Sequence, residues 1–323
     1  MNPADNSHLN ARIKFHFTIS GKCRAIRVNL TVKLFSICNF ILYLKQIADI
    51  EICKQHKKLM ISLIISFYKR YDFLELILQS LDKQSYNNFE VIIAEDNNDP
   101  LTVDFINEAR KIHSYMILHI SQEDIGFRKT RILNSAVKIA NGEQIVFIDG
   151  DCIVHKHFLK EYSKSITDTN FCYGRRVYLS KKHTDILLKS KSINKVNVLR
   201  TFLYGGKSIG TGIYLPFRIN RDRQYRTILG CNWGIMKKNI LAVNGFDEDY
   251  NRASVGEDLD IDWRLKKQDF KVRTMKGKAI VYHMYHEVNY TFSDTDFLQK
   301  MMSEKKLIGK SFCINGISSQ KLC

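Results

Sequence analysis

A chain of 323 residues with 45% hydrophobic and 26% charged residues has the composition of a globular protein and enough length for one large domain or two. Its formal net charge of +17 implies attraction to anions such as nucleic acid, acidic lipid or phosphorylated substrates. Because the basic residues are spread along the chain without a long Lys/Arg run, we expect no nucleic-acid partner.

Cysteine spacing gives no sign of a metal cluster. None of the eight cysteines forms a C-x-x-C pair, which argues against a zinc site. Scattered thiols in a chain of this length fit a reducing cytoplasm, where they serve as small buried apolar side chains. The sequence therefore predicts a cytoplasmic protein whose membrane contact, if it has one, is peripheral at the inner face of the cytoplasmic membrane.

Residues 1–58 differ from the rest of the chain. They hold ten Lys and Arg against three Asp and Glu, a local net charge of +7, and a mostly apolar run over residues 28–44. That run is too short and too polar for a transmembrane helix, and it lacks a signal-peptide cleavage pattern. This extension is therefore either poorly ordered or a basic amphipathic segment that rests on an anionic membrane face.

From residue 60 onward, strand and helix patterns alternate. Apolar runs of strand length cover residues 61–66, 89–94, 116–120 and 145–148, and helical spacing of apolar residues covers residues 71–82, 101–114 and 129–140. Repetition of strand and helix at this spacing predicts an α/β fold with a mainly parallel central sheet and flanking helices.

Three of the predicted strands end in polar residues: residues 66–70, residues 95–99 and the run Asp149-Gly150-Asp151. Ligands bind beyond the carboxyl ends of the strands in parallel sheets, so we expect a site there. Along an extended chain Asp149 and Asp151 would point to one side, and two such carboxylates repel unless a cation lies between them. A divalent, oxygen-preferring cation is the expected occupant. The alternative is a polar turn, in which Asp-Gly is common.

The second half of the chain is less regular. Its patterns predict a helix over residues 157–166, strands over 171–179, 227–236 and 279–282, and a helix that opens at Gly256-Glu257-Asp258. The basic and polar residues 181–226 predict a loop-rich lid over a substrate. His283 and His286 follow the last strand, and one further helix is predicted in the tail from residue 291.

These motifs resemble those of a family 2 glycosyltransferase with the GT-A fold, over about residues 60 to 287. Ser66-Phe67-Tyr68-Lys69-Arg70 stands at the first family turn, without its usual proline, and Glu95-Asp96-Asn97-Asn98 at the acidic uridine-binding loop. Gly126-Phe127-Arg128 leads into Asp149-Gly150-Asp151, which matches the Asp-x-Asp motif. Asn244-Gly245-Phe246-Asp247-Glu248, Gly256-Glu257-Asp258 and His283-x-x-His286 resemble bacterial members with a galactosyltransferase-like C-terminal region, such as chondroitin polymerase modules.

On the donor side, the resemblance implies a UDP-sugar. Asp96 would accept a hydrogen bond from the uracil N3–H, and Tyr68 would offer a ring for stacking; the alternatives are an Asx turn and a core aromatic. Arg70 and Arg128 would contact phosphate or ribose, because guanidinium matches phosphate oxygens. The alternative for both arginines is a solvated surface charge.

The resemblance also implies a metal held by Asp149 and Asp151, with Asp151 as the more direct ligand, and a donor that contacts Asp149 and Gly150. His283 or His286 would complete the shell, and the sequence leaves open which of the two binds. A nitrogen donor beside carboxylates suits Mn²⁺ better than Ca²⁺, so Mn²⁺ or Mg²⁺ is the predicted cofactor. A cation there would stabilise the charge of the leaving diphosphate.

On the acceptor side, the resemblance makes Asp258 the general base for an acceptor hydroxyl, with Glu257 orienting the acceptor or sharing the role. At a helix N-terminus the dipole favours the ionised carboxylate, and simple N-capping is the alternative for either residue. Trp233 and its neighbour Asn232 would contact the acceptor sugar, Trp233 as a stacking floor; the alternative is a core tryptophan.

Together the motifs predict an inverting, metal-dependent glycosyltransferase that uses a UDP-sugar and a glycan or lipid-linked glycan acceptor in bacterial surface glycan synthesis. Residues 59–152 would form the nucleotide-binding half of a domain over residues 59–290, residues 153–290 the acceptor half, and residues 291–323 a helical tail. The rivals are a sugar-nucleotide pyrophosphorylase, whose glycine-rich basic loop is missing after the first strand, and a non-catalytic glycan- or membrane-binding protein.

Overall fold

The computed structural model describes residues 59–217, 226–252, 256–287 and 292–319, together with the backbone of two short strands near the N-terminus. The chain divides into two compact units, Met1–Lys57 and Lys58–Cys323. In the first unit, β1 (Phe15–Ile19) pairs antiparallel with β2 (Lys22–Ile26). The prediction for residues 28–44 lies outside the described residues.

The second unit holds the remaining elements. Its strands are β3 (Ile61–Phe67), β4 (Phe89–Glu95), β5 (Met116–Ser121), β6 (Gln144–Asp149), β7 (Cys152–Val154), β8 (Asn170–Tyr173), β9 (Arg175–Tyr178), β10 (Asn232–Met236), β11 (Lys271–Thr274) and β12 (Ile280–His283). Its helices are α1 (Tyr71–Asp82), α2 (Pro100–Ile112), α3 (Lys129–Ile139), α4 (Phe158–Ser165), α5 (Lys181–Ser190), α6 (Val198–Leu203), α7 (Lys237–Ala242), α8 (Glu257–Lys267) and α9 (Phe292–Ile308).

Seven strands form the central sheet, in the order β11-β8-β10-β6-β3-β4-β5. The four strands β3, β4, β5 and β6 run parallel, so their carboxyl ends lie at one edge. Strand β10 is antiparallel to both β6 and β8, and β11 is parallel to β8. This mainly parallel sheet with flanking helices confirms the predicted α/β class.

The sheet has a hydrophobic core on each face, because side chains alternate along its strands. In β3, Leu63 and Ile65 belong to one core with Ile77 of α1, while Ile64 belongs to the other with Ile132 of α3. All five side chains are at most 1% exposed. Burial of each such side chain stabilises the fold by roughly 1.5–3 kcal/mol, which fixes the helices on both faces and leaves the strand ends free for a site.

A second, three-stranded sheet has the order β7-β12-β9. Strand β12 is antiparallel to β7 and parallel to β9. Its register pairs His283 with Cys152, the residue that follows Asp151. The small sheet therefore brings the end of β12 beside the end of β6, although the two lie more than 130 positions apart in the sequence.

Most predicted elements of the first half are confirmed, including the helix over residues 71–82 at α1. The single strand predicted over residues 171–179 is wrong, because Gly174 separates β8 from β9 and the two strands join different sheets. A Cβ at Gly174 would lie 2.0 Å from the Asn232 amide, so this close approach requires glycine.

Two other predictions in the second half need correction. Residues 181–226 are not loop throughout, since helices α5 and α6 form within them. The strand predicted over residues 227–236 begins only at Asn232. Within the described ranges, no helix combines the length and the apolar character that crossing a bilayer requires.

Candidate active site

The carboxyl ends of three parallel strands meet at one edge of the central sheet. The register sets Ser66 of β3 beside Asp149 at the end of β6, and Phe67 of β3 beside Glu95 at the end of β4. Each end leads directly into one of the polar segments noted in the sequence. The fold therefore brings those three segments to one place, as expected for a parallel sheet.

Gly150 and Asp151 form a turn between β6 and β7. A Cβ at Gly150 would lie 2.7 Å from the Ser66 carbonyl oxygen, so glycine lets the turn pass close to β3. Because the chain turns here, the two carboxylates have different partners, and a cation shared between Asp149 and Asp151 stays a prediction. Asp149 Oδ1 accepts hydrogen bonds from Ser66 Oγ at 2.9 Å and Lys129 Nζ at 2.7 Å.

Asp151 lies against the two histidines that follow β12. Its Oδ2 is 3.2 Å from His283 Nε2 and 3.0 Å from His286 Nε2. Burial alone would raise the pKa of Asp151, but the hydrogen bond from His286 and the charge of His283 lower it to about 2. Burial lowers the pKa of His283, whereas the hydrogen bond to Asp151 raises that of His286.

The donor set of this triad fits a divalent transition metal. One ligand atom from each of Asp151, His283 and His286 lies within 4.8 Å of the other two. The second oxygen of Asp151 accepts a hydrogen bond from Cys152 Sγ at 2.9 Å, which orients the carboxylate. Mixed oxygen and nitrogen donors suit Mn²⁺ better than Ca²⁺. Asp149, predicted as a further ligand, is held by Lys129 and lies outside this group.

Lys129, the first residue of α3, is the centre of a second charged group. Its Nζ lies 2.7 Å from Asp149 Oδ1 and 3.6 Å from Glu257 Oε1. Burial would lower the pKa of the Lys129 ammonium, but the charges of Asp149 and Glu257 outweigh burial and raise it. These residues line one cleft together with Gly230 and Asp258. Lys129 therefore carries a fixed positive charge between the strand end and helix α8.

Glu257 and Asp258 open helix α8; Glu257 is buried and Asp258 is partly buried. Asp258 Oδ2 accepts a hydrogen bond from Gly230 N at 3.2 Å, and its Oδ1 accepts one from Leu259 N at 2.8 Å. Burial raises the pKa of Glu257 to about 7 and also raises that of Asp258. From the sequence we expected the helix dipole to favour the ionised forms of both carboxylates. Their pKa values rise instead, because removal from water is the larger effect.

The acidic loop after β4 is held in place by its neighbours. Asp96 is 8% exposed, and its two oxygens accept hydrogen bonds from Gln122 Nε2 at 2.6 Å and from Arg128 N at 2.8 Å. The Arg128 side chain donates to the Glu123 carbonyl oxygen, while its buried Nε lacks a hydrogen-bond partner in the described part of the chain. Arg128 thus offers a buried cationic donor beside Asp96.

Tyr68 and Arg70 follow β3 at the surface. Tyr68 is 50% exposed, and its hydroxyl donates to Asp124 Oδ2 at 3.2 Å. Arg70 makes two hydrogen bonds of 2.9 Å to Asp72 and lies over the Phe73 ring at 3.5 Å. The Tyr68 ring is half exposed with the Lys69 ammonium 4.6 Å from its centroid, so a base can stack on it only on the face away from Lys69. Arg70 would have to leave Asp72 to contact a phosphate.

The structure does not place Trp233 and Asn232 at an acceptor surface. Trp233 is 0% exposed and stacks on Phe147 with ring centroids 4.6 Å apart. Asn232 is also 0% exposed, and its amide bonds the carbonyl oxygens of Arg175 and Ala279. The expectation that they contact an acceptor is therefore corrected: Trp233 fills the core, and Asn232 ties the central sheet to the small one.

Sequence reasoning missed Lys129. One signal pointed to it: a cation in the first turn of a helix is opposed by the helix dipole, so a lysine there needs a specific anionic partner. The sequence could not name that partner, because Asp149 and Glu257 lie 20 and 128 positions away. Only the fold brings the three together.

The fold of this chain matches the folds of solved glycosyltransferase structures. The structure of Staphylococcus aureus TarS in complex with UDP matches with a TM-score of 0.53 at 16% identity, over 77% of this chain and 65% of that one. A mannosyltransferase from Pyrobaculum calidifontis in complex with GDP-Man and Mn²⁺ gives 0.51 at 14% identity, over 78% of this chain and 65% of that one. The predicted GT-A fold of nucleotide-sugar transferases is thereby confirmed.

The family follows from the sequence comparisons. The model of glycosyl transferase family 2 matches residues 62–235, more than half of the chain, so the chain belongs to that family. A second model, described as the N-terminal domain of galactosyltransferase, matches residues 218–287.

Two curated relatives are bacterial. Hyaluronan synthase from Pasteurella multocida is 22% identical over 76% of this chain, which spans 26% of that protein's length. The amylovoran biosynthesis glycosyltransferase AmsB from Erwinia amylovora is 26% identical over 71% of each chain.

Proposed function

We propose that this chain is an inverting, metal-dependent glycosyltransferase. It moves a hexose or N-acetylhexosamine from a UDP-sugar to a hydroxyl group of a glycan or lipid-linked glycan acceptor. The observation that carries this proposal is the pairing of two centres at one sheet edge. The Asp151 triad offers metal ligands just after Gly150, and Asp149, just before Gly150, lines one cleft with the carboxylates of Glu257 and Asp258, which offer a base.

The donor would bind across residues 59–152 and the acceptor across residues 153–290, with residues 1–58 and 291–323 outside this catalytic core. Asp96 would accept the uracil N3–H, and the exposed Tyr68 ring would stack on the base. The buried Nε of Arg128 would donate to phosphate or ribose, and Arg70 would do so after exchanging its Asp72 partner. Gly150 would let the diphosphate approach the turn closely.

Asp151, His283 and His286 would hold the Mn²⁺ or Mg²⁺ ion. A bound divalent cation supplies positive charge that stabilises the leaving diphosphate without proton transfer. Lys129 would keep Asp149 oriented and would add a second positive charge on the other side of the turn. The bound cation and Lys129 would together offset the negative charge that develops on the leaving diphosphate.

Asp258 would take the proton of the acceptor hydroxyl as that oxygen attacks the anomeric carbon. The backbone N–H groups of Gly230 and Leu259 hold its carboxylate, and Glu257 beside it would orient the acceptor. The new C–O bond forms as the bond to the diphosphate breaks. A single displacement inverts the anomeric centre, so an α-linked donor gives a β-glycoside.

The two bacterial relatives, a hyaluronan synthase and an amylovoran biosynthesis glycosyltransferase, support the proposed biological setting. We place the protein in the assembly of a bacterial surface polysaccharide or lipooligosaccharide, in the cytoplasm and peripheral at the inner face of the cytoplasmic membrane. UDP-linked galactose, N-acetylgalactosamine and N-acetylglucosamine are the first donors to test.

The test is release of UDP from these three donors with Mn²⁺ and after chelation, with GDP-mannose as a control because one structural neighbour binds it. We expect metal-dependent release of UDP from at least one donor and a β-configured product by NMR. A folded protein that releases UDP from none of them contradicts the proposal. Metal-dependent formation of pyrophosphate from UTP and a sugar phosphate would indicate a pyrophosphorylase instead.

A further inference from the structure

Helix α6 turns its apolar side chains toward solvent. Leu199, Phe202 and Leu203 are 67%, 65% and 67% exposed, and their spacing of three and four residues places them on one helix face. Thr201, in contrast, is 0% exposed, and its hydroxyl donates to the Asn197 carbonyl oxygen at 2.7 Å. A surface helix normally buries its apolar face and exposes its polar face, and α6 does the opposite.

The exposed apolar surface continues beyond the helix. A Cβ at Gly212 would lie 3.2 Å from Val198 Cγ2, so the chain after Gly212 runs past the start of α6. Ile213, the next residue, is 50% exposed, and Phe217 is 84% exposed. We call Leu199, Phe202, Leu203 and Ile213 the outer patch. Grouped exposed apolar residues of this kind mark interaction surfaces.

The outer patch lies within the most basic stretch of the second unit. Residues 181–226 contain eleven Lys and Arg against two Asp and Glu, a local net charge of +9 out of +17 for the chain. Lys195, Arg200 and Lys207 flank the patch along the chain and are exposed. Apolar side chains flanked by cations suit the surface of an anionic bilayer. The apolar side chains enter the headgroup region, and the cations contact lipid phosphates.

We propose that the outer patch docks on the surface of a bilayer that contains anionic lipids. A second copy of this chain is a poorer occupant, because it would bring together two copies of residues 181–217, each with a net charge of +6. The proposal goes beyond glycosyl transfer, since docking on lipid requires no catalysis. It also differs from the expectation for residues 1–58, because the docking residues belong to the second unit.

Lys207, which lies in the chain between Leu203 and Ile213 of the outer patch, is joined to the candidate metal site by backbone pairing. Tyr178 of β9 donates to the Lys207 carbonyl oxygen at 3.0 Å and accepts from Lys207 N at 2.9 Å. The Tyr178 ring centroid lies 5.6 Å from that of His283, and β9 pairs with β12, which ends at His283. Docking through the patch would therefore hold the Asp151 triad near the lipid surface.

The test is co-sedimentation of the full chain with vesicles of phosphatidylcholine alone or mixed with phosphatidylglycerol. We expect binding to the mixed vesicles. The double variant Leu199→Ser/Phe202→Ser should bind them at least tenfold more weakly, because two large apolar side chains no longer enter the interface (about 1.5–3 kcal/mol each). Arg200→Gln and Lys207→Gln should each weaken binding about fivefold, and only to the mixed vesicles.

A matched control is Ile112→Ser, which removes a 76% exposed apolar side chain from α2 on another part of the fold and should leave binding unchanged. Residues 1–58 are present in every variant, so their contribution cancels in the comparison.

Equal binding by parent and double variant would overturn the proposal. A dimer seen by sedimentation velocity that the double variant abolishes, with vesicle binding intact, would assign the patch to self-association. UDP release, measured in parallel, reports the proposed function separately.

Discussion

Asp151 and Glu257 carry the same functional group in two neighbouring charged groups, yet their pKa values move in opposite directions. Asp151 is partly buried, and the cationic partners His286 and His283 lower its pKa to about 2. Glu257 is buried at the start of α8, and burial raises its pKa to about 7 although Lys129 opposes that shift. The balance between burial and charged partners, rather than the residue type, decides which carboxylate stays ionised and which can exchange a proton.

This difference predicts opposite effects of pH on stability. The folded-state pKa of Asp151 lies below its ordinary value of 3.8, so its stabilising contribution is present at neutral pH and is lost as the pH falls toward 2. The folded-state pKa of Glu257 lies above its ordinary value of 4.5, so its contribution is present at low pH and is lost as the pH rises through about 7. One centre is suited to hold a cation and the other to accept a proton.

The largest expected effect is that of Asp258→Asn. The amide keeps the shape of the side chain but cannot accept the acceptor proton, so transfer should fall by about 10²- to 10⁴-fold. Binding of UDP, measured by calorimetry, should stay within a few-fold of the parent. The control is Asp262→Asn, the same change at another buried carboxylate of α8 with a raised pKa. Retained transfer by Asp258→Asn would remove its assigned role and shift attention to Glu257.

A smaller effect is expected at the opposite centre from His286→Ala and His283→Ala. Loss of one of the three ligands should lower the Mn²⁺ affinity by about 10- to 100-fold, which is the loss seen when even a hydrogen-bond partner of a metal ligand is removed. UDP release should then need a correspondingly higher Mn²⁺ concentration. The variant with the larger loss identifies the stronger ligand. His113→Ala is the control, because His113 also pairs with an aspartate, Asp82, at 2.9 Å but lies outside the triad. Equal Mn²⁺ titrations for all three variants would contradict the metal assignment.

The spacing of apolar residues was enough to predict the strands β3 to β6 and the helices that pack on them. The bounds of α1 followed from apolar spacing, since Leu74, Ile77 and Leu78 must share one buried face. The convergence of polar strand ends also followed, because parallel strands place their carboxyl ends together. The sequence could therefore predict where the candidate site lies, and local motifs marked Asp151, His283 and His286, which the fold brings together.

The sequence could not predict properties that depend on distant partners. Trp233 looked equally suited to a sugar platform and to the core until its stacking on Phe147 was seen. The separation of Asp149 from Asp151 depended on a turn at Gly150 that must pass beside β3. Lys129 became meaningful only when its carboxylate partners, distant in the chain, were placed around it.

The smallest expected effect, and the sharpest test of the contrast between the two centres, comes from Lys129→Met. Without the ammonium, the pKa values of Glu257 and Asp258 should rise further, because a nearby positive charge favours the ionised carboxylate. The rising limb of the pH–rate profile should therefore move to higher pH, with about tenfold lower transfer at neutral pH and partial recovery in alkaline buffer. Lys129→Arg keeps the charge and should leave the limb in place. A uniform loss of rate with an unmoved limb would mean that Lys129 acts on the donor rather than on the base, and that the raised pKa values on this side arise from burial alone.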